Sequence, residues 1–407
     1  MQSKRFTASI WTTLALGAMT LGMTQPIVVA ADLDSRWVGT WGASPQLTEP
    51  RNLPPPPGLT SNTLRQVVQV SIGGKHLRMR FSNAFGTSPV TMNSVHLALS
   101  AGGSAIKTNS DLALMFQGKP SMTIPAGESV LSDTFDFDLT PLSDLAVTID
   151  FGGTSATVTG HPGSRTTSYL QAGDWVLAPD LPKAAKTEHW YILTGIDVAA
   201  NSSSAAIVTL GDSITDGRGS GTDRNDRWPD ALARRLQADK TIADFAVLNE
   251  GIGGNCVLHG GLGPTALSRF DRDVLSQSGV HWLIVLEGVN DIGGSHDASV
   301  ATNLIAAYGK MIEQAHAHHI RVYGATILPF GGSFYDQPAH ETAREAVNNW
   351  IRTGGKFDVV VDFDAAMRNP QNPTHLLPAA DSGDHLHPNE AGYKIMADAI
   401  DLELFRK

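Results

Sequence analysis

The chain has 407 residues, of which 42% are hydrophobic and only 17% are charged, enough apolar material to exclude intrinsic disorder. It carries 30 Lys and Arg residues and 40 Asp and Glu residues, and the resulting net charge of −10 excludes the basic surface typical of nucleic-acid-binding proteins. The single cysteine, Cys256, excludes an intramolecular disulfide and a thiolate zinc site.

The first 31 residues have the pattern of a secretory signal peptide. Lys4 and Arg5 precede an apolar stretch from Ile10 to Met23, and Val28-Val29-Ala30 resembles a small-residue cleavage site. The apolar stretch is shorter than the roughly 20 residues that span a bilayer. We therefore expect a cleaved signal peptide over residues 1–31, export to the periplasm or the medium, and no stable association with a membrane.

Short strands are predicted throughout residues 32–201. Apolar and polar residues alternate over 68–72 and again over 77–81, on either side of Gly73-Gly74, and this pattern predicts a β-hairpin. Further runs typical of strands cover residues 95–99, 112–116, 129–137 and 145–151. Such spacing predicts a β-sandwich-like accessory domain over residues 32–201.

Strands alternate with helices after the small and polar stretch 199–204. Runs that are apolar on both faces predict strands, and amphipathic runs predict helices. The predicted strands cover residues 207–210, 245–248, 281–286, 322–328 and 359–363, and the predicted helices cover 228–236, 300–315, 343–351 and a last segment from about Glu390. The alternation predicts a parallel sheet flanked by helices, in a second domain over residues 202–407.

The first three of these predicted strands end in glycine-containing motifs. The motifs are Gly211-Asp212-Ser213, Gly251-Ile252-Gly253-Gly254 and Gly288-Val289-Asn290-Asp291. Ligands bind beyond the carboxyl ends of the strands in an open parallel sheet, so Ser213 is a candidate nucleophile. The glycines allow a backbone N–H to approach a ligand, and Asn290 can donate to an oxyanion. Taken singly, each motif also fits an ordinary turn.

A fourth motif, Asp384-His385-Leu386-His387, precedes the last predicted helix. The three-residue spacing lets Asp384 accept a hydrogen bond from the His387 imidazole, which leaves the other ring nitrogen to accept a proton from a serine. His385 is the alternative base, but it directly follows Asp384, and the side chains of adjacent residues diverge in extended backbone. A polar loop with Asn389 as the helix N-cap is the alternative interpretation.

These four motifs, in this order, resemble the four blocks of the SGNH (GDSL-type) hydrolase superfamily. The resemblance covers residues 205–407 and implies a flavodoxin-like α/β domain. Carried over residue by residue, it implies Ser213 as the nucleophile, His387 as the base and Asp384 as the residue that orients the base. The implied oxyanion hole consists of the backbone N–H groups of Ser213 and Gly254 and the side chain of Asn290. We expect no cofactor and no metal.

The longer sequence context resembles a narrower group of SGNH hydrolases. Gly211–Gly217, Arg227-Trp228-Pro229 and Gly39–Pro45 are similar to segments of exported esterases that have an N-terminal β-domain and are associated with xylan degradation. The resemblance implies an exported serine esterase acting on small-molecule or polysaccharide esters, first of all O-acetyl groups on carbohydrate. The alternatives are a general arylesterase or lysophospholipase-type lipase, and a non-catalytic glycan-binding module with a degenerate hydrolase domain. The oligomeric state stays open.

Overall fold

A computed structural model describes residues 36–297 and 299–406 of the protein. The predicted signal peptide, residues 1–31, lies outside the described residues. None of the helices in the described ranges is both long enough and apolar enough to cross a bilayer. Strands dominate before residue 201, and strands alternate with helices after it, so the fold is a mixed α/β fold with a strand-rich N-terminal region.

The strand-rich region consists of short strands that pair in antiparallel ladders. In chain order they are β1 (Arg36–Gly42), β2 (Gln46–Leu47), β3 (Asn62–Gln69), β4 (Gly74–Ser82), β5 (Val90–Gly102), β6 (Ala105–Ile106), β7 (Leu112–Ala113), β8 (Met122–Ile124), β9 (Ser129–Leu131), β10 (Phe135–Leu139), β11 (Asp144–Phe151), β12 (Thr159–His161), β13 (Ser168–Ala172), β14 (Ala185–Thr187), β15 (Trp190–Tyr191) and β16 (Leu193–Ala200). Short 3₁₀ helices at Pro50–Asn52 and Thr108–Ser110 lie in the connections.

Two larger sheets organise this region. One has the strand order β1-β16-β4-β10, with β9 beside β4, and the other has the order β14-β13-β3-β11-β5-β6, with β7 and β8 beside β5. A third sheet has the order β15-β12-β2. Side chains from the two larger sheets, such as Met79 in β4 and Val147 in β11, are fully buried in one hydrophobic core. This shared core explains why apolar residues recur at every second position of the strands.

The predicted hairpin around Gly73-Gly74 is wrong. β3 pairs with β11 and β13, whereas β4 pairs with β10 and β16 in the other sheet. Gly73 is needed for a close approach of two chain segments, since a Cβ there would lie 2.3 Å from the carbonyl oxygen of Leu139. The alternation correctly marked the buried faces, because Val68 and Leu77 are both buried. It could not specify which strand pairs with which.

The region after residue 204 contains the alternating elements. In chain order they are β17 (Ala205–Gly211), α1 (Ser213–Asp216), α2 (Trp228–Ala238), β18 (Phe245–Gly251), α3 (Ala266–Phe270), β19 (Val280–Leu286), α4 (Val289–Gly293), α5 (Val300–Ala317), β20 (Arg321–Ala325), α6 (Pro338–Thr353), β21 (Val359–Val361), α7 (Phe363–Met367), β22 (Arg368–Asn369), β23 (Asn372–Leu376) and α8 (Glu390–Asp398). A π-helical turn (Asp271–Leu275) follows α3, and a 3₁₀ helix (Leu402–Phe405) follows α8.

A parallel five-stranded sheet lies at the centre of this region. Its order is β18-β17-β19-β20-β21, and every neighbouring pair is parallel. All of β17 and the last five residues of β19 are buried, as their unbroken apolar sequences predicted. The order places the carboxyl ends of β18, β17 and β19 side by side. The three motifs that follow these strands therefore meet at one edge of the sheet.

Candidate active site

Ser213 is the first residue of α1 and lies directly beyond the carboxyl end of β17. The side chain of Asp212 caps this one-turn helix by accepting a hydrogen bond from the Ile214 N–H at 2.9 Å. The end of β18 packs closely against the helix, since a Cβ on Gly251 would lie 2.3 Å from the backbone nitrogen of Asp216. Only glycine fits at this contact, which lets the end of β18 pack against the helix that begins with Ser213.

Ser213, His387 and Asp384 form a continuous chain of hydrogen bonds. Ser213 Oγ lies 2.8 Å from His387 Nε2, and His387 Nδ1 lies 2.7 Å from Asp384 Oδ2. The backbone N–H of His387 also donates to Asp384 Oδ1 at 2.9 Å. The side chain of His387 is only 3% exposed. The contact that the three-residue spacing predicted is therefore present, with Nε2 directed at the serine hydroxyl.

The surroundings of His387 favour its neutral form. Burial lowers the pKa of His387 below its usual value, and the positive charges of Arg218 and Arg165 act in the same direction, while Asp384 opposes them. Burial by itself would raise the pKa of Asp384, but hydrogen bonds from His387 lower that pKa to about 2. At neutral pH the pair is a neutral imidazole beside a carboxylate, which is the state that can accept a proton from a serine.

His385, the alternative base, contacts Asp381 instead of Ser213. Its Nδ1 lies 2.6 Å from Asp381 Oδ2, and its side chain is about half exposed. The backbone φ of His385 is +62°, in the left-handed region. Of the two histidines in the motif, the structure therefore brings only His387 to the serine.

The three predicted oxyanion donors lie along the same cleft. Ser213, Gly254 and Asn290 all line it. None of the backbone hydrogen bonds between described residues uses the N–H of Ser213 or of Gly254 as its donor. Gly254 has a φ of +71°, a conformation that favours glycine. Backbone donors that are free at a cleft can stabilise a developing negative charge.

The side-chain amide of Asn290 is held at both ends. Its Nδ2 donates to the carbonyl oxygen of Asn255 at 2.8 Å, and its Oδ1 accepts from the hydroxyl of Tyr335 at 3.1 Å. The second hydrogen on Nδ2 has no partner among the described residues, and Asn290 lines the cleft. No sequence motif marks Tyr335, because it lies in a loop 45 residues after the asparagine that it contacts.

A buried arginine ties the strand ends beneath the site together. Arg269 donates to the carbonyl oxygens of Glu250 at 2.6 Å and Gly211 at 3.1 Å, and to Asn255 Oδ1 at 3.0 Å. Ser44, from the strand-rich region, donates to Glu250 Oε2 at 2.7 Å. Burial raises the pKa of Glu250 to about 8. Arg269 thus connects the nucleophile turn to the oxyanion loop.

The strand-rich region supplies part of the cleft wall, and no sequence motif predicted this. The cleft has a volume of about 340 Å³. The residues before position 201 that line it are Gln46, Glu49, Arg51, Asn52, Pro162, Gly163, Arg165 and His189. Residues of the helical region, among them Arg218, Phe334 and Tyr335, complete the lining.

Neither a metal site nor a reactive thiol accompanies this arrangement in the described part of the chain. No group of three or more His, Cys, Asp or Glu side chains is placed there to hold a metal ion. Cys256, two residues after Gly254, is buried, and burial raises the pKa of its thiol to about 12. A thiol with such a pKa stays protonated and is a poor nucleophile.

Comparison with known proteins identifies the helical region. Residues 209–395 match the GDSL-like lipase/acylhydrolase family. No curated protein matches the chain. Among solved structures, a GDSL-like lipase from Bacteroides thetaiotaomicron is 22% identical over 48% of this chain and 84% of that one, with a TM-score of 0.35. An acetylxylan esterase from Geobacillus stearothermophilus is 23% identical over 48% of this chain and 91% of that one, with a TM-score of 0.37.

The family match includes the segments that carry the four motifs. It begins within β17 at residue 209, ahead of Ser213, and ends within α8 at residue 395, beyond His387. Residues 209–395 therefore contain a GDSL-like lipase/acylhydrolase domain, and the protein is a carboxylic ester hydrolase.

Proposed function

We propose that the protein is a serine esterase whose nucleophile is Ser213. The observation that carries the proposal is the chain of hydrogen bonds from Ser213 Oγ to His387 Nε2 at 2.8 Å and from His387 Nδ1 to Asp384 Oδ2 at 2.7 Å. In this assignment His387 removes the serine proton as Oγ attacks the ester carbonyl. Asp384 holds the imidazole in the required tautomer and stabilises the imidazolium that forms.

The attack produces a tetrahedral intermediate with a negatively charged oxygen. That oxygen receives hydrogen bonds from the backbone N–H groups of Ser213 and Gly254 and from Asn290 Nδ2. His387 then donates its proton to the leaving alcohol as the bond to the alcohol oxygen breaks. Water attacks the acyl-enzyme by the same route, which releases the carboxylic acid and regenerates Ser213.

The preferred substrate in this proposal is an O-acetyl group on carbohydrate. The polar side chains of Gln46, Asn52 and His189 line the cleft wall and suit an alcohol that carries many hydroxyl groups. Phe334, which also lines the cleft, is 69% exposed and offers a flat apolar face to a sugar ring. The polarity of this wall supports a saccharide more than a lipid.

A general arylesterase or lysophospholipase-type lipase is the second candidate. A neighbouring cavity of about 510 Å³ shares Gly254, Leu262, Asn290 and Tyr335 with the cleft. It adjoins the oxyanion donors and has room for an acyl group longer than acetyl. The glycan-binding module without catalysis has no such support, since Ser213, His387 and Asp384 form a continuous chain of hydrogen bonds.

Three finer predictions remain part of the proposal. The strand order 2-1-3-4-5 in the parallel sheet supports the flavodoxin-like arrangement. The two antiparallel sheets with a common core support the β-sandwich, and the change from antiparallel to parallel pairing between Ala200 and Ala205 supports a boundary near residue 201. Export by the signal peptide rests on the sequence pattern of residues 1–31.

The test compares three substrates and one blank. Acetate release from acetylated xylan is measured beside the hydrolysis of 4-nitrophenyl acetate and 4-nitrophenyl octanoate, with Ser213→Ala as the blank. Serine-dependent acetate release from the polymer supports the carbohydrate esterase. Hydrolysis of the aryl esters alone favours the general esterase, and faster cleavage of the octanoate assigns the second cavity to the acyl chain. No serine-dependent hydrolysis of any substrate overturns the proposal.

A further inference from the structure

Three arginine side chains line the cleft that holds Ser213 and His387. They are Arg51 and Arg165 from the strand-rich region and Arg218 from the helical region. The chain as a whole carries a net charge of −10. A group of guanidinium ions around the nucleophile therefore runs against the overall charge, and general acyl transfer from a neutral ester does not require it.

Arg165 is held in an unusual conformation and lacks a partner for its charge. Its φ is +52°, a value that is uncommon for a residue with a long side chain. Its Nε is buried and has no hydrogen-bond partner among the described residues. No carboxylate of the described ranges lies within ion-pair distance of Arg165 or Arg51, and Arg218 Nε is 3.9 Å from Asp384 Oδ2. A buried N–H without a partner is costly unless a ligand supplies the acceptor, and this applies to Arg165, whereas Arg51 and Arg218 are exposed.

The loop that carries Arg165 is bonded to α1, the short helix that begins with Ser213. His161 is the last residue of β12, and its Nε2 lies 2.9 Å from Asp216 Oδ1 in α1. Gly163 packs on the same carboxylate, since a Cβ there would lie 1.8 Å from Asp216 Oδ2. The carbonyl oxygen of Arg165 accepts from the N–H of Asp223 at 2.9 Å. These contacts hold the Arg165 backbone in place before any ligand binds, which lowers the entropic cost of binding.

The acidic side chains of the cleft are already bonded to the protein. Glu49 accepts from Gln46 Nε2 at 2.9 Å and from Asn52 Nδ2 at 2.8 Å. Asp216 Oδ1 contacts His161 and is buried. These carboxylates therefore have protein donors, whereas the guanidinium groups still have donors to offer. An incoming oxyanion therefore finds free N–H groups in this cleft, and the carboxylates of Glu49 and Asp216 are already bonded elsewhere.

Two of the arginines, Arg165 and Arg218, lie close enough to His387 for their charges to act on its imidazole. The leaving oxygen must come within hydrogen-bond distance of His387 Nε2 to receive its proton. Arg165 and Arg218 line the cleft together with His387, whereas the neighbouring cavity beside Gly254 and Asn290 contains no arginine among its lining residues. The charge of the ligand therefore belongs on the alcohol part of the ester, and the acyl group points toward the oxyanion donors.

We propose that Arg165, together with Arg51 and Arg218, forms an anion subsite that selects esters whose alcohol part carries an oxyanion group. A uronic acid carboxylate and a phosphate share this chemistry, and both match the planar fork of donors on a guanidinium group. The inference rests on the proposed function and adds to it the charge of the substrate. Arg165 is the specificity-determining residue in this scheme.

The experiment measures kcat/KM by acetate release from three small esters. They are a mono-O-acetylated methyl glucosiduronic acid, the mono-O-acetylated neutral methyl glucoside and acetylglycerol phosphate. We expect at least one anionic ester to be preferred over the neutral glucoside by about 10-fold or more, since hydrogen bonds between charged groups are the strong ones. The preference is expected to shrink as the salt concentration rises. The preferred anion identifies the source of the charge.

Arginine variants and a remote control separate recognition from a general charge effect. Arg165→Gln is expected to lower the ratio of kcat/KM for the anionic ester to that for the neutral ester by about 10-fold, and Arg165→Lys to restore part of it. Lys107→Gln removes one positive charge at an exposed position outside the cleft lining and should leave the ratio unchanged. If the Arg165 variants fold poorly, Arg51→Gln, at an exposed position, provides an independent measurement of the same kcat/KM ratio.

Two results overturn the inference. One is a ratio near 1 for the unmodified enzyme, and the other is an unchanged ratio in both Arg165→Gln and Arg51→Gln. Failure of the proposed function looks different, because the neutral ester would then show no hydrolysis that depends on Ser213.

Discussion

His161 Nε2 lies 2.9 Å from Asp216 Oδ1, and both side chains are buried. The contact joins the end of β12, in the strand-rich region, to α1, whose first residue is Ser213. His161 Nδ1 lies 2.9 Å from the carbonyl oxygen of Ser44, so the imidazole bridges two segments of the strand-rich region and the nucleophile helix. The strand-rich region is therefore bonded to the helix that positions the nucleophile.

Removing this bridge is expected to destabilise the protein and to slow catalysis. His161→Ala leaves the buried carboxylate of Asp216 without its partner, which should cost about 1.5–3 kcal/mol of unfolding free energy. Urea unfolding and kcat on 4-nitrophenyl acetate measure the two effects. A double-mutant cycle with Asp216→Asn isolates the pair, and strictly additive losses would show that the two side chains are not coupled.

The two histidines of the last motif should differ sharply in their effect on activity. Ser213→Ala and His387→Ala are expected to lose nearly all hydrolysis, because each removes one end of the same hydrogen bond. Asp384→Ala should be milder than His387→Ala, since it leaves the base in place. His385→Ala, with its side chain bonded to Asp381, is the matched control and should stay near the unmodified rate. An equal loss in both histidine variants would contradict the assignment of the base.

Asn290→Ala should lower kcat by about 10²–10³, the typical effect of removing one oxyanion donor. Tyr335→Phe removes the hydroxyl that donates to Asn290 Oδ1 while keeping the ring, so a smaller loss is expected. Both rates are measured with substrate at saturation, because the oxyanion contacts strengthen in the transition state. A rise in KM without a change in kcat would show that Asn290 only binds the substrate.

The pH profile of kcat/KM on a neutral ester should show its acidic limb below pH 6.5, the ordinary pKa of the imidazole. Activity is lost as the pH falls through the pKa of His387, because the protonated ring cannot accept the serine proton. Arg218→Gln is expected to move the limb to higher pH, since the loss of a positive charge makes protonation of His387 easier. Lys107→Gln controls for a general loss of charge, and a limb that stays in place in Arg218→Gln would contradict the electrostatic explanation.

The buried Glu250 should make the folded state less stable as the pH rises. Burial raises the pKa of Glu250 to about 8, whereas a glutamate in the unfolded chain has a pKa of about 4.3. Between these values the folded state keeps a proton that the unfolded state has lost, so the unfolding free energy falls with increasing pH and levels off above about pH 8. Glu250→Gln should make this slope shallower, by at most the amount that corresponds to a difference of about one bound proton between the folded and unfolded states. Urea unfolding at pH 5, 6.5 and 8 tests this, and an unchanged slope would contradict it.

Glycine-flanked polar motifs allowed the site to be predicted from sequence because they follow strands of a parallel sheet. Once β17, β18 and β19 are recognised as neighbouring parallel strands, their carboxyl ends must meet, and Ser213, Gly254 and Asn290 come together without further information. Asp384 and His387 lie within one turn, so their contact is local as well. Short helices such as α4 and α7 were missed, since five residues are too few to show a helical period.

Strand pairing and the composition of the cleft depended on contacts between distant residues. The alternation on either side of Gly73 marks the buried faces of β3 and β4, but period 2 is the same whichever strand lies alongside, so the two strands could be assigned to one hairpin although they lie in different sheets. Likewise, nothing adjacent to Arg165 in the sequence indicates that its side chain lines the same cleft as Ser213. The sequence by itself therefore predicted which residues serve as nucleophile, base and oxyanion donors, and motif order and parallel strands explain why the fold brings these residues together. Only the tertiary structure decided which residues form the wall of the cleft, because packing between segments more than 40 residues apart brings Arg165 into the lining that includes Ser213.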